Sequence, residues 1–110
     1  QPWFCDWAFN LPRGQKLVEK WAQIPDDTQV LLTHGPPHGI LDKLPGMDGE
    51  HVGCEALLER VQVLPCLRLH VFGHIHCSYG DIQRNGVRFV NASICDEQYR
   101  ARQAPIVVDL

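Results

Sequence analysis

Two short strand-like segments, one continuously apolar and one alternating, constrain this chain more than anything else in it. Val30-Leu31-Leu32 and Leu67 to Phe72 each follow a helical pattern, and each breaks off at a histidine beside a glycine. A chain patterned this way has to lay helices against a sheet, which places it in the mixed α/β class. The first helix is predicted where Leu17, Val18, Trp21 and Ala22 recur at near-helical spacing until Pro25. The second is predicted after Gly53, where Cys54, Leu57, Leu58 and Val61 share one face and Pro65 ends the pattern. Val30-Leu31-Leu32 reads as a strand buried on both faces. In the second run Leu67, Leu69 and Val71 alternate with Arg68, His70 and Phe72, the period of a strand. Asn85-Gly86 signals a type I′ hairpin that pairs Arg84 with Val87 and Ile82 with Phe89. Ile106-Val107-Val108 reads as one more strand. Between Gly35 and Gly49, Pro36, Pro37, Gly39, Pro45 and Gly46 predict a mobile surface loop of the length that usually carries function.

Size and charge narrow the function classes. With 110 residues the chain is one small domain or part of one, and its 45% apolar content suffices for a packed core. Lys and Arg number 10 against 13 Asp and Glu, so no basic surplus points to duplex nucleic acid or an anionic membrane. Cys5, Cys54, Cys66, Cys77 and Cys95 are odd in number and contain no C-x-x-C pair, so reduced thiols and a cytoplasmic location are expected. No apolar run approaches the roughly twenty residues of a membrane helix. The opening Gln1-Pro2-Trp3-Phe4 has neither an initiator Met nor signal-peptide character, and reads as cut from something longer.

His34, His74 and His76 are the most informative residues, because each directly follows an apolar strand, where side chains converge at a sheet edge. Imidazole is the commonest neutral metal ligand, and His-x-His can aim two rings at one place if the backbone bends, which Gly73 would permit. An isolated His-x-His is more often a pair of surface histidines; a second strand delivering His34 to a glycine-bearing turn shifts the reading to metal ligands. Gly35 and Gly73 lack a Cβ and would let backbone approach a phosphate. His38 is a further candidate phosphate contact, and a solvated loop histidine is the plainer reading of both His38 and His51. No catalytic residue is assigned.

Thr33-His34-Gly35-Pro36-Pro37 and Gly73-His74-Ile75-His76 resemble the later motifs of the calcineurin-like metallophosphoesterases. Trp7-Ala8-Phe9-Asn10, Val52-Gly53-Cys54, Leu69 to Gly73 and Asn91-Ala92-Ser93 are similar to the metallophosphoesterase domain-containing subgroup, so the likeness spans nearly the whole chain. The resemblance implies that residues 1–110 are the C-terminal half of such a domain, a partial β-sandwich flanked by helices. It implies two divalent ions, Mn, Fe or Zn, with His34 and His74 on one and His76 on the other. The implied reaction is phosphodiester hydrolysis, with a phosphodiester or nucleotide as the small-molecule partner and cyclic nucleotides a subgroup-level expectation.

The family's earlier motifs, Asp-x-His, Gly-Asp and Gly-Asn-His, are absent, and Asp42, Asp48, Glu50 and Asp81 match no family ligand position. The chain alone is therefore expected to be inactive and to expose an apolar sheet edge. The alternative is a non-catalytic nucleotide- or metal-binding fragment. A third reading is a structural zinc module on His74, His76 and Cys77. Trp3, Trp7 and Trp21 could stack on a base, but core packing is their default. His70 is expected to be packed or hydrogen-bonded, and the Asn91-Ala92-Ser93 sequon to be chance.

Overall fold

The computed structural model describes residues 1–46 and 49–110; Met47 and Asp48 lie outside the described residues. The elements run α1 (Gln15–Trp21), β1 (Val30–Leu32), α2 (Glu55–Gln62), β2 (Leu69–Phe72), a 3₁₀ turn at His76–Ser78, β3 (Gly80–Arg84) and β4 (Val87–Asn91). The architecture is mixed α/β: two helices and a four-stranded sheet in the order β1-β2-β4-β3. β1 pairs parallel with β2, β2 pairs parallel with β4, and β3 closes the far edge antiparallel to β4. A second sheet, expected for a sandwich, does not form among the described residues.

Local chemistry accounts for most elements. Cys54 caps α2, its sulfur accepting from the Leu57 amide and from the Trp21 indole at 3.2 Å, which ties α1 to α2. Asn85 and Gly86 have φ of 50° and 81°, the pair of positive values that a type I′ turn needs, and the hairpin takes the predicted register. Leu31, His70, Phe89 and Ile82 lie in register across the sheet. On that face Phe72, Phe89 and Val87 join Leu17, Leu57, Val61 and Leu64 in the core.

Three expectations are corrected. β1 is not buried on both faces: it is an edge strand, with Val30 39% and Leu32 72% exposed and only Leu31 packed on the core. The Pro/Gly segment is irregular, as expected, but from Gly35 to Asp42 it is largely buried, and the exposed residues expected of a surface loop are confined to Lys43, Pro45 and Gly46 among those described. Pro36 accepts from the Cys54 amide and His38 donates its amide to Cys54, and Pro37, Ile40 and Asp42 are buried. Ile106-Val107-Val108 is no strand and Val107 is 82% exposed; the Tyr79 hydroxyl holds Ala104, and the chain end passes beside Arg68 and Arg88 without pairing.

His70 is packed, as expected. It is wholly buried, with Nε2 2.9 Å from the Thr33 hydroxyl and its ring edge-on to Phe72 and Phe89. Burial pushes its pKa down to about 3, so the folded chain holds it neutral while the unfolded chain protonates it near 6.5. That stabilisation is complete above about pH 6.5 and is lost as the pH falls toward 3, by up to about 1.4 kcal/mol per pH unit. His70 alone is expected to contribute a loss of about 2 kcal/mol in urea unfolding at pH 5 relative to pH 7, and His70→Leu should remove that part of the dependence. An unchanged slope in the variant would assign the acid sensitivity to other groups.

Candidate functional site

The parallel pairing of β1 with β2 continues past the strand ends. Thr33 donates its amide to the Val71 carbonyl and Gly73 donates to the His34 carbonyl, each at 3.0 Å. This extension carries His34 alongside the Gly73-His74 turn. The two rings lie 4.9 Å apart, centre to centre, tilted by 48°. β4 ends at the same edge, where the Ala92 amide reaches the Phe72 carbonyl at 2.7 Å. Three parallel strands thus terminate at one edge, where α/β folds commonly bind ligands.

His34, His74 and His76 all line one pocket of about 550 Å³, together with Gly35 and Pro36. Neither Gly73 nor His38 lines it. His38 packs instead near His51, with ring centres 5.5 Å apart. The bend expected at Gly73 falls one residue later: His74 takes a φ of 70°, and Gly73 serves close packing, since a Cβ there would meet the Ser93 hydroxyl at 3.3 Å. Cys77 is exposed and hydrogen-bonds the Lys43 carbonyl, and among the described residues no three His, Cys, Asp or Glu side chains converge to hold a metal. The zinc-module reading therefore has no geometric support. The three histidines face one space without closing a complete ligand set by themselves.

Their protonation suits donor roles. Burial above all, with repulsion from His34 and His76, lowers the His74 pKa to about 4; burial also lowers that of His34. Both rings are therefore neutral at pH 7, with lone pairs to give. The Nδ1 of His76 lies 3.0 Å from the Asp96 carbonyl, and as the donor there it leaves Nε2 free as an acceptor. A carbonyl behind an imidazole in this way is the usual support for a metal-binding histidine.

Sequence reasoning missed the residues around the histidines. Phe9 stacks on His34 at 5.1 Å, Phe4 and Trp7 meet His74 edge-on at 5.6 and 6.1 Å, and Tyr99 meets His76 at 5.5 Å. Trp3 and Trp7 are 62% and 50% exposed and line the pocket, which corrects their assignment to the core; Trp21 alone packs on it. The first nine residues are dense in aromatics, and that density was the available signal. Arg13 joins the pocket wall, donating to the Val52 and Gly53 carbonyls and pairing with Glu55.

Asp42, assigned from sequence to a mobile loop, is fully buried. Its carboxylate accepts from the Gly39 and Gly53 amides at 2.9 Å and from His51 Nδ1 at 2.5 Å. It fastens the segment behind the pocket and does not enter it.

No family model matches the chain. All 110 residues align with metallophosphoesterase domain-containing protein 1 of Homo sapiens and of Mus musculus at 52% identity, covering 33% of each relative. They also align with UPF0046 protein T07D4.2 of Caenorhabditis elegans at 41% identity, covering 27% of it. The chain thus spans about a third of the length of these relatives.

Proposed function

We propose that this chain, similar over its whole length to metallophosphoesterase domain-containing protein 1, forms one wall of a metal-dependent phosphoester hydrolase site. Residues 1–110 are read as the C-terminal portion of a calcineurin-like metallophosphoesterase domain. The observation that carries the proposal is the meeting of His34 and His74 at 4.9 Å on adjacent strand ends, with His76 on the same pocket.

The donor chemistry fits a shared cation site: neutral imidazoles suit Mn, Fe or Zn, and the carbonyl behind His76 fixes its tautomer. The set falls short of a whole site, and the reading requires carboxylate ligands from outside residues 1–110. When bound, two divalent ions polarise phosphoryl oxygens and activate water. The residues of this chain hold and orient. His34 and His74 present lone pairs from just past the strand ends, and the aromatic rings beside them restrict ring rotation. The substrate class is a phosphodiester, with cyclic nucleotides as the specific expectation, acting in the cytoplasm where the five free thiols stay reduced.

The natural-length protein with added Mn²⁺ is expected to hydrolyse bis(p-nitrophenyl) phosphate and to lose that activity to a chelator. Residues 1–110 alone should show none. Robust turnover by the 110 residues would overturn the half-site reading, and metal binding without turnover in the natural-length protein would establish the non-catalytic alternative instead.

A further inference from the structure

We propose that Asn91 is a positioning residue whose side chain holds the backbone turn that presents His74 and His76; the functional part of this rests on the metal-site reading above. Gly73-His74-Ile75 is a three-residue turn: the Ile75 amide donates to the Gly73 carbonyl at 2.8 Å, with His74 at its centre at φ 70°. A γ-turn of this hand is rare and strained, and a non-glycine residue remains in it only where its surroundings enforce it.

The enforcing group comes from the end of β4. Asn91 is wholly buried, and its amide nitrogen donates to the Ile75 carbonyl at 2.8 Å and to the Leu41 carbonyl at 3.2 Å. Its oxygen accepts from the Ser93 amide at 3.2 Å and the Ser93 hydroxyl at 2.8 Å. All four hydrogen-bonding positions of the carboxamide are filled, which fixes its orientation. Ile75 is the residue between the two histidines, so a donor clamped on its carbonyl sets the direction in which both leave the backbone. Leu41 has a φ of 49°, so the same amide also anchors a second left-handed residue, in the Pro/Gly segment. Ser93 completes the mould, because its hydroxyl supports Asn91 and fills the space that a Cβ on Gly73 would need. Aspartate would be a poor replacement despite its shape, because a carboxylate has no donor for two carbonyls.

The test compares Asn91→Asp, Asn91→Ala and Ser93→Ala with the core variant Val61→Ala in the natural-length protein. Two readouts apply: the Mn²⁺ concentration for half-maximal activity, and the Cα and Cβ chemical shifts of His74, which report its left-handed backbone. The Asn91 variants are expected to raise the Mn²⁺ requirement by about tenfold to a hundredfold and to shift the His74 signals toward ordinary backbone values. Ser93→Ala should move both in the same direction by less, and it carries the comparison if an Asn91 variant fails to fold. Val61→Ala should lower thermal stability while moving neither. Asn91 variants that keep the His74 signals and the metal requirement would overturn the proposal, as would a Val61 variant that shifts both. Should the natural-length protein show no metal-dependent activity, the metal-site reading fails, while the His74 shifts still decide whether Asn91 holds the turn.

Discussion

Alanine at Gly53 is expected to cost the chain about 3 kcal/mol, a large fraction of the stability of an ordinary small domain. A Cβ there would sit 2.5 Å from the Pro37 carbonyl oxygen, 2.6 Å from its carbon and 2.8 Å from Asp42 Oδ2. None of these atoms can yield cheaply. The Pro37 backbone is held between the Pro36 and His38 hydrogen bonds to Cys54, and Asp42 accepts from the Gly53 amide itself. Any shift that relieves the clash breaks a bond to a fully buried carboxylate, a further penalty for an unsatisfied charge. Gly35→Ala is the control, since its Cβ would meet Gln1 Cβ at 3.6 Å, an ordinary contact. Urea denaturation and near-UV circular dichroism of the two variants provide the comparison. A Gly53→Ala protein as stable as Gly35→Ala would show that the packing of the Pro/Gly segment on α2 is wrong.

Glycine at His74 is expected to abolish the proposed hydrolysis, by more than about a hundredfold in the natural-length protein, while stability stays within about 1 kcal/mol of the parent. Two opposing effects set the second figure. Removing the side chain relieves a left-handed residue of its strain and forfeits the edge-on contacts with Phe4 and Trp7. A residue retained for stability alone would not occupy φ 70° as histidine when glycine is available there at no steric cost. Activity measured at saturating Mn²⁺, beside thermal unfolding of the same samples, separates the two contributions. Full activity in His74→Gly would remove His74 from the site, and a collapse of stability would make its role structural.

What was legible in the sequence was local in origin. α1 and α2 follow from apolar spacing bounded by Pro25 and Pro65, and the β3–β4 register follows from Asn85-Gly86, because these signals act between residues a few positions apart. That His34 and His74 sit just past strand ends was legible for the same reason, whereas His76 lies in the 3₁₀ turn beyond. The aromatic setting of the histidines was not, since Phe4, Trp7 and Phe9 reach them only through the path of the first ten residues. Nor was the role of Asn91, though a polar residue directly after Phe89-Val90 at the end of a strand is a signal that it must find buried partners.

The sequence by itself determined which segments are helical, where the hairpin turns, and which imidazoles stand at strand ends. Only the tertiary structure decided that β1 is an exposed edge, that Asp42 is a buried anchor, and that two histidines 40 residues apart meet within 4.9 Å. The reason is physical. Backbone propensity and hydrophobic period are properties of neighbours along the chain, whereas strand order, burial and ring-to-ring contact depend on which distant segments pair, and that choice belongs to the packed molecule.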